Sequence, residues 1–365
     1  MRNKKKYFNV LGFMSGTSMD GVDISLVRTN GLSLTNLKNY FFKYDQSTRN
    51  KLFTILDKYQ DVLKNQNLQD ECNDYVTNVH LKALKSSGFV SECEIIGFHG
   101  QTIFHNPAKK ISLQLGNGQL MANKTKKNVV FDFRKNDLIN GGEGAPLAPI
   151  YHKLLIKKQN ATLPCVFLNI GGISNVTYFD NDQLIGFDTG PGNVVLDDYI
   201  KIKLNKEFDE KGKISSKGRV NSNLIKNILN YKYFKNPPPK SLDRNFFQPF
   251  LSKLLSNKSS IEDNLATLTE LTTETIKESW KYFPNKVNTL IISGGGSKND
   301  FLISNLKYKL GKLVKQIQIY ENHDFVESEM IAFLACRSIL SLPITFPRTT
   351  GVKKPLTGGN IYKPL

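Results

Sequence analysis

Small residues, hydroxyl groups and two acids are concentrated near the start of the chain, in residues 12–23 (GFMSGTSMDGVD). Backbone N–H groups and Ser or Thr hydroxyls of such a loop can surround a polyphosphate, and its glycines allow a close approach. The Walker A pattern and the Rossmann glycine fingerprint are both absent from the sequence, so neither of these nucleotide sites is available. Taken alone, the loop fits phosphate binding and an ordinary long hairpin turn equally well.

Two further glycine-rich segments follow predicted strands. Residues 169–177 (NIGGISNVT) again place a glycine pair between two strands, and residues 294–299 (GGGSKN) lie between a strand and a predicted helix. One glycine-rich turn is weak evidence for a ligand. Three such turns at strand ends, spread through both halves of the chain, predict a nucleotide bound between two lobes.

Asp188 opens the segment DTGPGN and directly follows the apolar residues 185–187. A carboxylate at the end of a strand, partly withdrawn from water, suits a general base. An Asp in this setting also commonly caps a turn or a helix, and the residues leave both interpretations open. Asp-Thr-Gly occurs in aspartic proteases too, but those enzymes need two such carboxylates and this chain has one triplet.

Three polar segments could orient sugar hydroxyls and an anionic substituent: residues 99–102 (HGQT), 132–134 (DFR) and 141–147 (GGEGAPL). Arg134 is the natural partner for a carboxylate. His99 equally fits a hydrogen-bonded core histidine, and Asp132 with Arg134 equally fits a structural ion pair. Composition does not choose between these alternatives.

The elements that must position these residues alternate between strands and helices, which predicts an α/β chain with its chemistry at the loop edges of the sheets. Strands are predicted over 7–14, 22–29, 94–98, 128–133, 165–170, 183–187 and 287–293, and helices within 46–87 and over 262–280 and 328–340.

A length of 365 residues favours two domains. The shift to Gly, Pro and Ala near residue 145 predicts the boundary, with residues 1–145 carrying the first hairpin and the polar segments. Residues 146–365 then carry the second hairpin, Asp188 and the third glycine run.

The formal charge of +18 comes from 50 basic and 32 acidic residues, and only eight of the basic ones are Arg. Nucleic-acid binders concentrate charge in a stripe and use Arg for bidentate contacts, so no nucleic acid partner is expected. The four cysteines are far apart without metal-ligand spacing, and no apolar run is long enough to span a membrane. A cytoplasmic protein without membrane contact is predicted.

The chain resembles the anhydro-N-acetylmuramic acid kinases, members of the actin-like sugar kinase superfamily. The resemblance covers essentially the whole chain and is carried by residues 14–23, 99–102, 132–134, 144–147, 169–173, 188–193, 238–241, 266–269 and 294–296. It implies a two-lobed actin-like ATPase (ribonuclease H-like) α/β fold with the active site in the interlobe cleft, and a homodimer. The C-terminal tail, residues 350–359, keeps only part of the family pattern.

The resemblance also implies a reaction in which ATP and water convert 1,6-anhydro-N-acetylmuramic acid to N-acetylmuramic acid 6-phosphate and ADP, with Asp188 as the base that activates water. It implies nucleotide contacts from Ser15, Gly16, Thr17, Ser18, Met19, Asp20, Gly21, Val22, Asp23, Gly171, Gly172, Gly190, Gly192, Asn193, Gly294, Gly295, Gly296 and Asn299. It implies sugar contacts from His99, Gln101, Asp132, Arg134 and Glu329. For Glu329, a first-turn helix acid is an equal alternative.

Mg²⁺ is expected to be bound through water, reached by Asp20 or Asp23, because Mg²⁺ keeps much of its hydration shell. A kinase of the same fold acting on another sugar or acid hydroxyl is the alternative. A filament or chaperone is disfavoured, since no length remains for a peptide-binding module.

Overall fold

The structure is a computed structural model that describes residues 6–16, 19–321 and 324–365. Thr17 and Ser18 of the predicted phosphate loop therefore lie outside the described residues. The chain divides into two compact units. Unit 1 contains Met1–Leu154 and Phe325–Leu365, and unit 2 contains Leu155–Asp324.

The strands are β1 (Phe8–Ser15), β2 (Gly21–Thr29), β3 (Leu34–Lys43), β4 (Ile95–Asn106), β5 (Ile111–Leu115), β6 (Asn128–Phe131), β7 (Cys165–Ile170), β8 (Ile173–Phe179), β9 (Leu184–Pro191), β10 (Thr289–Ser293), β11 (Gln316–Ile319) and β12 (Asn360–Tyr362). The helices are α1 (Gln46–Asp57), α2 (Tyr59–Lys64), α3 (Gln66–Ser87), α4 (Gly118–Thr125), α5 (Lys135–Ile139), α6 (Pro149–Lys158), α7 (Val194–Leu204), α8 (Ser222–Leu229), α9 (Lys232–Lys235), α10 (Gln248–Ser256), α11 (Ile261–Glu278), α12 (Asp300–Leu310), α13 (Val326–Ile339) and α14 (Pro347–Thr350).

The sheet of unit 1 has the order β12-β6-β4-β1-β2-β3, and β5 pairs with β4. The strands β1, β2 and β3 form a continuous antiparallel meander, whereas β4 runs parallel to β1 and β6 parallel to β4. Val10, Leu11 and Phe13 of β1 are fully buried because the strand lies inside the sheet with both faces covered.

The sheet of unit 2 has the order β11-β10-β7-β8-β9. Here β7, β8 and β9 form the antiparallel meander, and β10 and β11 continue the sheet as parallel strands beyond β7. The two units thus repeat one topology, a three-stranded meander extended by parallel strands on the side of its first strand. The prediction of an α/β chain built from two related units is confirmed.

Helix α13 brings the chain back to unit 1 and packs directly on β1 and β4. A Cβ atom on Gly12 would overlap the carbonyl oxygen of Ser328, and one on Gly97 would lie 2.7 Å from the carbonyl oxygen of Ile331. Hydrogen bonding between the hydroxyls of Ser25 and Ser328, 2.7 Å apart, joins the helix to β2 as well. This packing explains why residues after 325 belong to unit 1, whereas the sequence predicted that they belong with the second lobe.

The predicted strands and helices are present, with one consequential difference. The sequence placed the end of a strand at Phe187, immediately before Asp188, but β9 continues through Pro191. The extension forms because Asp188 and Gly190 pair with Asn175 and Ser174 of β8, across a register shift between those two residues. Among the described residues, no helix is both long enough and apolar enough to cross a membrane.

Candidate active site

Two of the predicted nucleotide-binding segments contact each other in unit 2 through their backbones. The amides of Gly192 and Asn193 donate to the carbonyl oxygens of Gly172 and Gly171, each over 2.8 Å. A Cβ atom on Gly192 would overlap the Gly171 carbonyl oxygen, so this close approach requires glycine. The turn between β7 and β8 is therefore fixed to the start of α7.

The third glycine run lies against the same turn. A Cβ atom on Gly294 would lie 2.6 Å from the carbonyl oxygen of Ile170, and one on Gly296 would overlap the Ile170 side chain. The side-chain Nδ2 of Asn193 also donates to the carbonyl oxygen of Ile170 over 3.4 Å. Gly295 lies in the short 3-10 turn between these positions. The glycine segments 171–172, 190–192 and 294–296 of unit 2 thus converge at the end of β7.

Buried threonines of α11 contact this cluster of glycine segments. The Thr272 hydroxyl donates to the carbonyl oxygen of Gly192 over 3.1 Å, and Thr275 lies where a side chain on Gly190 would be. Both threonines lie on the buried face of the helix predicted over 262–280, but the sequence alone does not connect them with the glycine segments. Asn299 has a local structural role, because its side chain caps α12 by accepting from the amide of Leu302 over 3.1 Å.

Asp188 is buried within β9, with 8% of its surface exposed. Its Oδ2 atom accepts a hydrogen bond from the amide of Leu242 over 2.9 Å. Its own amide donates to the carbonyl oxygen of Lys240 over 3.2 Å, and its carbonyl oxygen accepts from the Tyr233 hydroxyl over 2.5 Å. The candidate base is therefore fixed in position by residues 233–242, a contact that the sequence alone does not predict.

In unit 1, the first hairpin turn is joined to β4. The Ser15 hydroxyl donates to the carbonyl oxygen of Gly100 over 3.3 Å, and the Gln101 amide donates to the carbonyl oxygen of Gly16 over 3.2 Å. The Gln101 Oε1 atom is buried without a protein partner among the described residues. The structure thus brings one predicted sugar residue next to the predicted phosphate loop.

In the second half of this hairpin, some side chains are buried in the core and others are carboxylates near Tyr44. Met19 and Val22 have fully buried side chains in the hydrophobic core of unit 1, so only their backbones could face a ligand. Asp20 and Asp23 both act electrostatically on Tyr44, whose hydroxyl also hydrogen-bonds with Ser15. Burial is the main reason why the pKa of Tyr44 is raised, and the nearby carboxylates add to it. Two carboxylates therefore lie near one hydroxyl pair.

Packing requires a glycine at position 21, because a Cβ atom on Gly21 would overlap the carbonyl oxygen of Phe42.

His99 and Arg134, both predicted to bind the sugar, contact each other. Arg134 Nη2 lies 3.1 Å from His99 Nε2, and Arg134 Nη1 donates to the carbonyl oxygen of Gly144 over 2.8 Å. Arg can only donate, so His99 Nε2 accepts and Nδ1 carries the proton that is donated to the carbonyl oxygen of Gly100 over 3.1 Å. Burial, and secondarily Arg134, lowers the pKa of His99 to about 3, so its ring is neutral.

The Asp132 carboxylate faces β12 in unit 1. Its Oδ2 atom accepts from Asn360 over 3.1 Å and from the Tyr362 hydroxyl over 3.4 Å, both on β12. Asp132 and Tyr362 line a polar cavity of about 370 Å³ together with Asn73 and Lys135. The structure therefore separates Asp132 from the contact between His99 and Arg134.

Glu329 is bound within unit 1 by two side chains. Its Oε2 atom accepts from the Tyr151 hydroxyl over 2.5 Å, and its Oε1 atom accepts from Asn36 over 2.6 Å. The neighbouring Glu327 lies close enough to Arg134 for their charges to interact. Glu327 is thus a second acid of α13 near Arg134, whereas the sequence predicted only Glu329 as a sugar contact.

The described part of the chain offers few side chains that could bind a metal ion. No group of three or more His, Cys, Asp or Glu side chains there could bind an ion directly. The pair Asp20 and Asp23 supplies carboxylate oxygens, the ligand type that Mg²⁺ prefers, and Mg²⁺ is usually bound by one or two carboxylates with several waters retained. The donor set of this hairpin therefore fits a hydrated Mg²⁺.

Comparison with known proteins gives consistent results. The family model described as anhydro-N-acetylmuramic acid kinase matches residues 8–364. The anhydro-N-acetylmuramic acid kinase of Pelagibacter ubique is 39% identical, covering 98% of this chain and 99% of the relative. That of Zymomonas mobilis is also 39% identical, covering 96% and 99%.

Among solved structures, component A of the (R)-2-hydroxyglutaryl-CoA dehydratase of Acidaminococcus fermentans aligns with a TM-score of 0.47 and 11% identity, over 92% of this chain and 99% of that one. The family assignment rests on the sequence matches, which extend along nearly the full length of both partners. The chain belongs to the anhydro-N-acetylmuramic acid kinase family.

Proposed function

We propose that this protein is a kinase that opens 1,6-anhydro-N-acetylmuramic acid with water and transfers the γ-phosphoryl group of ATP to O6. The products are N-acetylmuramic acid 6-phosphate and ADP. The observation that carries this proposal is the family match over residues 8–364. Within unit 2, the convergence of three glycine segments beside the strand of Asp188 supports it.

Asp188 acts as the base in this reaction. Its carboxylate removes a proton from a water molecule whose oxygen attacks the anomeric carbon C1, and the bond between C1 and the bridging oxygen O6 breaks. The electron pair of that bond remains on O6, which attacks the γ-phosphorus as the bond to the ADP oxygen breaks. Strain in the bicyclic sugar is released in the first step. The proton leaves Asp188 to solvent after turnover.

The chain's own groups would bind the two substrates. Backbone amides exposed by the glycine segments of unit 2 and by the hairpin of unit 1 are suited to phosphate oxygens. Arg134 is suited to the sugar's carboxylate, and the neutral His99 keeps Arg134 oriented without adding a second positive charge. Mg²⁺, bound through water at Asp20 or Asp23, would neutralise phosphate charge when present.

The test follows the oxygen of water. Protein, ATP and the anhydro sugar are incubated in ¹⁸O-water, and the phosphorylated product is analysed by mass spectrometry after short times. We expect one ¹⁸O at C1 and none in the phosphate ester. Unlabelled N-acetylmuramic acid 6-phosphate kept in ¹⁸O-water for the same time corrects for exchange at the reducing end.

Phosphorylation without a label at C1 would remove the water-attack mechanism. Phosphorylation of ordinary N-acetylmuramic acid or of another sugar, but not of the anhydro sugar, would favour a kinase of the same fold with a different acceptor. Sedimentation of the purified protein tests the expected homodimer, and fractionation of cells tests the expected cytoplasmic location.

A further inference from the structure

The segment from Tyr233 to Leu242 makes three hydrogen bonds to one residue, Asp188. The Tyr233 hydroxyl donates to the carbonyl oxygen of Asp188, and the amide of Asp188 donates to the Lys240 carbonyl oxygen. The Leu242 amide donates to the Asp188 carboxylate. These bonds fix the backbone of Asp188 on both sides and orient its carboxylate. We call residues 233–242 the Asp188 clamp.

One buried side chain closes this clamp on itself. The Lys240 ammonium donates to the carbonyl oxygen of Tyr233 over 3.1 Å and to that of Asn236 over 3.0 Å. These two hydrogen bonds therefore join Lys240, near the end of the segment, to residues at and near its start. A lysine is rarely buried without a strong reason, and Lys240 has only 8% of its surface exposed.

Aromatic rings complete the surroundings of the ammonium group. It lies 4.7 Å from the centre of the Tyr233 ring, 5.0 Å from that of Tyr282 and 5.8 Å from that of Phe187, the residue before Asp188. Cation–π attraction to these rings offsets part of the cost of burying the charge. The same charge thus links the clamp, β9 and the turn after α11.

The charged groups that face Lys240 leave it protonated at neutral pH. Burial lowers the pKa of Lys240 to about 8, and the positive charge of Lys281 adds to this shift. Lys281 is itself paired with Glu278 over 3.2 Å. The ammonium group can therefore donate its charge-assisted hydrogen bonds under ordinary conditions.

We propose that Lys240 is a positioning residue for the reaction: by closing the segment 233–242, it fixes the base Asp188 in its catalytic orientation. This role rests on the proposed function. Lys240 makes no contact with substrate in this account and acts only through Asp188. Residues 238–241 (PPKS) are one of the segments that carry the family resemblance, and Lys240 is the lysine of this segment.

The first test is a kinetic double-mutant cycle. Lys240→Met keeps the length and apolar stem of the side chain but removes the ammonium hydrogen bonds. We expect kcat to fall about tenfold or more, with the KM for ATP within about twofold of the wild type. In an Asp188→Asn background, the same change should leave the residual rate within about twofold, because the base it positions is absent.

Two matched variants sharpen the result. Lys235→Met changes an exposed lysine of the same segment and should leave kcat unchanged. Tyr233→Phe removes a single donor to Asp188 and should lower kcat in the same direction as Lys240→Met. Equal loss from Lys240→Met in both backgrounds would show a general structural effect and would overturn the proposal.

A second measurement does not depend on activity. Hydrogen exchange followed by mass spectrometry should show faster exchange of peptides covering 233–242 in Lys240→Met but not in Lys235→Met. Unchanged exchange in Lys240→Met would overturn the clamp even if the wild type proves to be the proposed kinase. Absence of wild-type turnover with the anhydro sugar would instead reject the proposed function, and the exchange result would still decide whether the clamp exists.

Discussion

Asp188 is the residue whose replacement should separate nucleotide binding from turnover. Asn has nearly the same size and retains an oxygen that can accept from the Leu242 amide, but it cannot remove a proton from water. We expect Asp188→Asn to lower kcat by about 10³-fold, within the range for loss of a general base. The affinity for a non-hydrolysable ATP analogue, measured by calorimetry, should change by less than about twofold.

The matched control is Asp182→Asn, at an exposed acid in the turn before β9, which should leave both quantities unchanged. Activity of Asp188→Asn within about tenfold of the wild type would exclude Asp188 as the base.

Arg134 provides a second test among single residues. Its planar guanidinium contacts His99 and the Gly144 carbonyl oxygen at the same time, which the single ammonium of a lysine cannot reproduce in the same geometry. We expect Arg134→Lys to raise the KM for the sugar roughly tenfold or more, the effect of losing one charge-assisted hydrogen bond. The KM for ATP should not change. Arg28→Lys, at an exposed arginine of β2, is the control, and an unchanged sugar KM in Arg134→Lys would remove Arg134 from the sugar site.

Among the elements, α13 depends on two glycines of the sheet that it covers. In Gly12→Ala the added methyl group would overlap the Ser328 carbonyl oxygen and lie 2.6 Å from the Ala332 amide. Backbone atoms cannot move aside as a flexible side chain would, so we expect a loss of about 3 kcal/mol in the free energy of unfolding, the upper end of overpacking costs. Urea unfolding followed by circular dichroism measures it.

Gly88→Ala is the control for this prediction. Gly88 has φ of +73° at the end of α3, and nothing lies within 4 Å of its Cβ position. It should lose only about 1 kcal/mol, the cost of a left-handed residue without a clash. Equal losses in the two variants would mean that α13 can shift away from β1.

The elements also show what local sequence can and cannot predict. The β-rich run 165–170 between polar residues predicted β7 at its observed bounds, because strand propensity and flanking turn residues agree there. The predicted end of β9 was wrong, because Asp-Thr-Gly is typical of a turn and only the pairing with β8 extends the strand. Likewise, Met19 looks like part of a polar loop, yet tertiary packing places it in the core.

At the scale of the whole molecule, the two units repeat the same strand order, although no internal sequence repeat predicts this. Apolar side chains with similar burial can be exchanged freely between strands, so a shared topology leaves little trace in the residues. The return of residues 325–365 to unit 1 was equally hidden, because it depends on the close approach of α13 to Gly12 and Gly97. The glycines themselves were visible, but their partners lie more than two hundred residues away in the sequence.

Among the described residues, unit 1 contains four buried or partly buried histidines whose charge states should limit its stability in acid. Burial lowers the pKa of His80 to about 4 and those of His99, His105 and His152 to about 3, from 6.5 in the unfolded chain. The folded state therefore binds fewer protons than the unfolded state between these values. The stabilisation is complete above pH 6.5 and is lost as the pH falls towards 3–4.

At pH 5 each histidine should cost up to about 2 kcal/mol of the free energy of unfolding relative to pH 7, because each pH unit below 6.5 is worth about 1.36 kcal/mol. Urea unfolding at pH 7, 6 and 5 measures the total, and hydrogen exchange locates it. Peptides of unit 1 should lose protection first, since all four histidines belong to that unit. His80→Asn should reduce the slope of unfolding free energy against pH by about one quarter, as one of four titrating groups is removed. A free energy of unfolding that stays constant from pH 7 to pH 5 would show that these rings become protonated without opening unit 1.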